Sequence, residues 1–340
     1  MPERYFDLSP RDKNDLLETA AERSGRSPHL LEKDVWVVWA LSALFNSGLG
    51  PDLTFKGGTS LSKAYKVIDR FSEDIDLTYD IRRLIGDMLE KHGEIPKSAS
   101  QAKKWTNAVR ERLPQWIESV ALPVLSRAMS DEGIVAELSI VGEENNTLLL
   151  SYAPVKTGSG YVAPQIRLEF GARATGEPRE AIFVETDLSA LIPEIVFSEA
   201  TPLVMKMERT FWEKATAAHV FCLQNRLRGE RFGRHWYDIA KMAQSARMQA
   251  AFPAKEYGKL VVAHKSMFFA EKDQSGASID YAECLCGRLK LVPAGAAYEA
   301  LADDYWKMAE DGILLHDAQD FRALMDECAK IEKLLNQALK

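Results

Sequence analysis

Phe55-Lys56-Gly57-Gly58-Thr59-Ser60, followed by Arg70-Phe71-Ser72-Glu73-Asp74-Ile75-Asp76-Leu77, is the stretch on which the reading of this chain turns. Leu53 to Phe55 reads as a short strand and Gly57-Gly58 as a turn. Ser60 to Ile68 reads as a helix and Ile75 to Tyr79 as a second strand. Paired glycines let a backbone turn sharply and approach a ligand without interference from a β-carbon. These two precede a helix, whose free N–H groups and dipole favour an anion such as phosphate. Asp74 and Asp76 share one face of a strand, about 7 Å apart along the backbone. Two carboxylates so placed repel unless a cation sits between them. Hard divalent cations take oxygen ligands, and Mg²⁺ is commonly held by one or two carboxylates together with substrate phosphates. Alone, a Gly-Gly pair is an ordinary turn and an Asp-x-Asp a solvated strand face. Together, at a separation that fits one strand–helix–strand unit, they describe one site.

Working outward, the 340 residues are enough for about two domains and a sizeable core. With 43 Lys and Arg against 50 Asp and Glu, the net charge of −7 argues against a generally basic nucleic-acid-coating protein, but leaves room for a local basic cleft. The four cysteines suggest a reducing compartment, and none has the Cys-x-x-Cys spacing of a zinc or redox site. The polar N-terminus lacks the apolar core of a signal peptide. Val35 to Phe45 is far short of the ~20 residues a membrane span needs. A cytoplasmic protein without membrane contact is the expectation.

The first fifty residues read as helices opened by Ser9-Pro10 and Ser27-Pro28. A long helical region, about 81–128, is interrupted by Pro114 and Pro123. Residues 134–184 look β-rich, and Gly158-Ser159-Gly160 reads as a hairpin turn. From Pro202 onward the chain is helical again, with 271–279 as a linker or mobile loop. Trp105, Trp116, Met205 and Met207 read as core, and His219 and His235 as core or capping residues. The histidines form no metal-ligand pattern, and the chain has no Gly-x-Ser-x-Gly nucleophile elbow.

Three further segments carry chemistry. Gln165-Ile166-Arg167-Leu168-Glu169-Phe170 alternates as a half-buried strand. Its Glu169 is a candidate third carboxylate, as metal ligand or general base; a salt bridge to Arg167 or Arg173 is the structural alternative. Lys214 stands in a helix among Phe211, Trp212 and Ala215, where an ammonium at the edge of a core would neutralise triphosphate charge; an ordinary surface lysine is its alternative. Residues 201–241 hold eight Lys or Arg (206, 209, 214, 226, 228, 231, 234, 241) against four acids (208, 213, 230, 238). That local +4 fits a footprint for triphosphate and for an RNA backbone; a solvated helix–loop–helix face is its alternative.

Gly57 to Leu77 resembles the first motif of the AbiEii-type nucleotidyltransferase toxins of type IV toxin–antitoxin systems, which share the DNA-polymerase-β-like nucleotidyltransferase fold. Leu31-Glu32-Lys33-Asp34-Val35-Trp36-Val37 resembles that family's N-terminal helix. Arg209-Thr210-Phe211-Trp212-Glu213-Lys214 with His219 resembles its lysine motif, and Arg234-His235-Trp236-Tyr237-Asp238 its terminal aspartate motif. One departure is Glu230, where the family often has arginine.

The resemblance implies an α+β fold. Residues 1–200 would form a nucleotidyltransferase-like lobe with N-terminal helices and a small mixed sheet, and 201–340 a helical lobe carrying the lysine and aspartate motifs. It implies Asp74, Asp76, Glu169, Lys214 and Asp238 as catalytic residues, with Asp74 and Asp76 on one or two Mg²⁺ ions. It implies Gly57, Gly58, Thr59, Ser60, Ser72 and Lys214 around a nucleoside triphosphate, and Asp238 orienting Lys214 or another basic group. Arg209, Arg231 and Arg234 are the RNA-binding candidates. The implied reaction moves a nucleotide from the triphosphate to an RNA acceptor, the tRNA 3′ end, releasing pyrophosphate and arresting growth. Transfer to a protein or small molecule, and a non-catalytic nucleotide- or RNA-binding module, are the alternatives. The implied antitoxin is encoded separately and forms no stable complex.

Overall fold

The computed structural model describes residues 3–72, 74–89, 95–156, 163–226, 231–310, 313–314 and 319–338. Arg228, Glu230 and the turn expected at Gly158–Gly160 lie outside the described residues. The chain forms two compact units. The first comprises Met1–Ala64, Glu73–Leu89 and Asn107–Met205; the second comprises Tyr65–Ser72, Glu90–Thr106 and Lys206–Lys340.

The first unit opens with β1 (Glu3–Arg4) and α1 (Pro10–Ser24). Ser9 accepts the Asp12 N–H at the start of α1, and Gly25, at φ 71°, ends it. In α2 (Pro28–Phe45), apolar Leu31, Val35, Val38, Trp39, Leu41 and Leu44 are buried, and so are Glu32, Lys33 and Asp34. Buried charges need partners. Glu32 accepts the N–H groups of Val155 and Lys156, Lys33 donates to the Ala163 carbonyl, and Asp34 pairs with Lys63 at 2.7 Å.

Next come β2 (Leu53–Lys56), α3 (Gly57–Lys63) and β3 (Asp74–Tyr79). The helix starts at the glycines, three residues before the expected Ser60. It stops at Lys63 rather than Ile68; a little beyond, Lys66 takes φ 53°, a left-handed conformation that a helix does not accommodate. The region expected to be helical with breaks at Pro114 and Pro123 holds α4 (Ile81–Leu84), α5 (Ala99–Trp116) and α6 (Leu122–Asp131). Pro114 lies inside α5, and a wide π turn, Ile117–Ala121, follows it. Helical backbone runs on without a break from α5 through the π turn into α6, so each proline removes one N–H from the ladder and neither ends the helix.

The remaining strands are β4 (Ala136–Val141), β5 (Thr147–Tyr152), β6 (Gln165–Gly171), β7 (Arg179–Ala181), β8 (Val184–Glu185), β9 (Ile195–Val196), β10 (Glu199–Ala200) and β11 (Leu203–Met205). Seven strands form one mixed sheet in the order β4-β5-β6-β3-β2-β11-β7, with β6 parallel to β3 and β11 parallel to β2. One face is apolar. Ile75 and Leu77 pair with Leu168 and Phe170, and Leu168 pairs in turn with Leu148. All five are buried. The other face carries the row Lys56, Asp76, Glu169 and Thr147.

The second unit holds α7 (Met207–Gln224), α8 (Arg234–Gln244), α9 (Ala246–Ala251), α10 (Glu256–Phe268), α11 (Ala296–Glu310) and α12 (Phe321–Ala338). Trp236 of α8 is fully buried, edge-on to Phe221 of α7, and its indole N–H donates to the Leu291 carbonyl. The segment expected as a linker, 271–279, is instead a small hairpin. Lys272 bridges Ser278, and the Asp273 carboxylate accepts the N–H groups of Ser275 and Ala277. Aspartate makes such turns with its own backbone. Among the described residues, no helix is long and apolar enough to cross a membrane.

Candidate functional site

In the first unit, strand pairing assembles the acidic face. Asp74 and Asp76 point from the polar side of β3, while Ile75 and Leu77 between and after them are buried. The parallel register sets Asp76 beside Glu169 and Asp74 beside Arg167, on strands about 4.8 Å apart. The Arg167 guanidinium stands between acids, 3.4 Å from Glu169 and 3.9 Å from Asp74. Both sequence readings of Glu169 therefore have a footing. It neighbours Asp76 on the sheet, and it touches Arg167.

Gly57 leaves the edge of this row at φ 78°. A β-carbon there would lie 2.0 Å from Asp76 Oδ2. Any side chain at 57 would occupy the place of the carboxylate, so the glycine exists to let Asp76 pack over the turn. Thr59 and Ser60 are fully buried. The Thr59 hydroxyl donates to the Asp74 carbonyl and the Ser60 hydroxyl to the Gly57 carbonyl. These two side chains fasten the turn to β3 and to itself, and what the turn can offer a ligand is its backbone. Gly58 is also buried, and Ser72 is half-buried two residues before Asp74.

Among the described residues, no group of three or more His, Cys, Asp or Glu side chains is placed to hold a metal ion. What is present is a pair of hard oxygen donors on one strand face, with the glycine turn beneath one of them. That donor set suits Mg²⁺ completed by phosphate oxygens and water, and does not suit a dedicated all-protein cage.

The second unit holds the other group. Asp238, three residues after His235 on α8, is fully buried. Arg70 grips it bidentately, Nε to Oδ1 at 2.7 Å and Nη2 to Oδ2 at 2.8 Å, and Lys214 Nζ lies 3.0 Å from Oδ2. Burial alone would raise the Asp238 carboxyl. Arg70 and then Lys214 overturn that and hold it well below the carboxylate range. For Lys214, burial works the other way. Opposed by Asp238 and reinforced by Arg70 and Arg234, it keeps the ammonium below the ordinary lysine value. Asp238 thus serves two basic groups, Lys214 and Arg70.

The arginine candidates separate. Arg209 is buried and paired with Glu213 at 3.2 Å, which places it in the interior and not on a surface facing RNA. Arg231 takes φ 58°, with its N–H held by Asp304 at 2.7 Å, and Arg234 is half-buried at the start of α8. Trp105, Met205 and Met207 are buried as expected, while Trp116 is half-buried and stacks on Tyr79. His219 is core, its Nδ1 accepting the Lys290 N–H, and burial pushes it down to about 4.

A family model described as the nucleotidyl transferase AbiEii toxin of type IV toxin–antitoxin systems matches residues 39–327. The chain belongs to this family. It is accordingly a nucleotidyltransferase-family enzyme, and the match spans the glycine turn, the aspartate strand, Glu169, Lys214 and Asp238. One solved structure, "MenT4, nucleotidyltransferase toxin Rv2826c from Mycobacterium tuberculosis H37Rv", is similar at a TM-score of 0.44 and 16% identity, covering 98% of this chain and 99% of that chain. No curated protein matches.

Sequence reasoning gives Arg70 no role in this AbiEii chain. Its partner Asp238 lies 168 residues away, and nothing in the linear pattern joins them. The available signal was an arginine at the head of the segment that delivers Asp74 and Asp76.

Proposed function

We propose that this AbiEii-family protein is a Mg²⁺-dependent toxin that transfers a nucleotide from a nucleoside triphosphate to an RNA acceptor, the 3′ end of tRNA, and acts in the cytoplasm. The observation that carries the reading is the fit of Gly57 beneath Asp76, where a β-carbon would lie 2.0 Å from Oδ2. A turn of ordinary structural purpose has no reason to keep that space for a carboxylate.

In this reading Asp74 and Asp76 hold the metal, and the backbone at Gly57 and Gly58 meets phosphate oxygens. Thr59 and Ser60 keep the turn in shape, and Ser72 belongs to the same lining. Bound Mg²⁺ would stabilise charge on the attacking and leaving oxygens. The acceptor hydroxyl attacks the α-phosphorus in line, an O–P bond forms, and the bond to the β-phosphate oxygen breaks, releasing pyrophosphate. Glu169 takes the acceptor proton or joins the metal ligands. Lys214, positioned by Asp238, neutralises phosphate charge as a point contact. Arg231 and Arg234 are the candidates left for RNA backbone contact. The antitoxin is encoded separately and forms no stable complex with the toxin.

The test incubates the purified protein with each α-labelled triphosphate and either total RNA or total protein, with Mg²⁺ or with chelator. The expected result is Mg²⁺-dependent label on RNA of tRNA size, lost by at least a hundredfold in Asp76→Ala and Lys214→Ala, in line with loss of a preorganised charge contact. Label on protein alone would overturn the RNA acceptor. Unchanged labelling in both variants would overturn the assignment of the site.

A further inference from the structure

The Asp238 carboxylate is fully used by Arg70 and Lys214, and this leaves a neighbour unprovided for. His235 lies three residues before Asp238 on α8, which puts both on one face of the helix. Its Nδ1 is buried and, among the described residues, has no hydrogen-bond partner. Buried unpartnered polar atoms are costly and few in native proteins, so each calls for an explanation. The ring stands edge-on to Phe232, 4.9 Å between centroids, which fixes its plane without satisfying the nitrogen.

The charged groups that face His235 are Lys214 on α7, Arg70 in the 65–72 segment, and Arg234 and Asp238 on its own helix. Three cations and one carboxylate act electrostatically on the ring. Burial first, then Lys214 and Arg234, hold the imidazole well below its ordinary value, against the opposing pull of Asp238. It is therefore neutral at pH 7. A neutral imidazole with a buried nitrogen still to be partnered, under the field of three cations, is the arrangement an anion would complete.

We infer that His235 is a further phosphate-contacting residue of the Lys214–Asp238–Arg70 group, donating Nδ1–H to a polyphosphate and taking up one proton from solvent as that anion binds. This rests on the nucleotidyltransferase reading and deepens it, by naming the residue through which triphosphate binding is linked to pH. The sign follows from charge. Incoming negative charge cancels the field of Lys214, Arg234 and Arg70 at the ring, so the imidazolium becomes the favoured form. Binding is then stronger below the pH at which the complexed imidazole titrates, and weakens above it.

The test uses the full chain and inorganic triphosphate, without metal. Imidazole resonances are followed by NMR between pH 5.5 and 8, and the His235 resonance is assigned by its absence in His235→Asn. The expected result is a resonance at the neutral position near pH 7 in the free protein, with its midpoint moving up by at least one pH unit when triphosphate saturates. Calorimetry in buffers of different ionisation heat should show proton uptake in the wild type that His235→Asn lacks. His235→Ala should weaken triphosphate binding about tenfold, the loss expected for one charge-assisted hydrogen bond. A His235 resonance that stays neutral with triphosphate bound, or equal proton uptake in His235→Asn, would overturn the inference. So would a failure of triphosphate to bind. If the wild type nevertheless transfers labelled nucleotide in that event, the enzymatic reading stands and only the role of His235 falls. If transfer also fails, both fall together.

Discussion

At Gly57 one absent atom decides the geometry of the acidic face. The backbone turns at φ 78°, and the Asp76 carboxylate occupies the space where a β-carbon would sit. Gly57→Ala therefore imposes two penalties, a left-handed conformation for a residue with a side chain and displacement of the carboxylate. Chemical denaturation should show a loss of about 1–3 kcal/mol, and nucleotide transfer should fall about a hundredfold, because misplacing a reacting group by an ångström has that effect. A variant that transfers at the wild-type rate would show that Asp76 needs no such support. That Asp74 and Asp76 share a strand face was legible because alternation along a strand is local. The Arg70–Asp238 pair was not, because a carboxylate fully buried under two cations has the same one-letter code as a solvated one.

Among the elements, β6 links the acidic face to the core. Arg167 and Glu169 stand on its polar side, while Ile166, Leu168 and Phe170 are buried on the other. Leu168 sits between Ile75 on β3 and Leu148 on β5. Leu168→Ala should destabilise the protein by about 2–5 kcal/mol, the range for emptying such a site, measured by urea unfolding. A change below 1 kcal/mol would show that the sheet closes over the gap. The period of two made this strand readable. The helices of 81–131 were read less well, because a proline's effect depends on which turn it occupies. Here Pro114 stands inside α5, and Pro123 follows directly on the π turn in backbone that stays helical. The charged residues of α2 were placed by resemblance alone. Helical spacing marks an apolar stripe, and it does not say that Glu32 will accept two backbone N–H groups from beyond β5.

For the whole molecule, the governing quantity is a net charge of −7 carrying a local excess of cations in residues 201–241. Within that excess, Arg209 pairs with Glu213, and Lys214 lies against Asp238. If RNA is the acceptor, its contact with Arg234 releases counterions. Arg234→Ala should then weaken RNA binding and lower the slope of log affinity against log salt by about 0.7 for a single strand. Titrations of labelled tRNA at several salt concentrations measure this, and an unchanged slope would remove Arg234 from the RNA contacts.

The sequence alone determined that strand, turn, helix and strand follow one another around the glycines, that Asp74 and Asp76 share a face, and that the family is AbiEii. The first two depend on order and spacing within a short stretch, and the family on motifs in sequence order from Leu31 to Asp238. Only the tertiary structure decided that β6 runs parallel beside β3 with Glu169 level with Asp76, that Thr59 and Ser60 spend their hydroxyls on the turn, and that Asp238 holds Arg70 as well as Lys214. The physical reason is that strand order and the pairing of buried charges are settled by packing between segments far apart in the chain, and the energy of a buried ion depends on the partners brought to it.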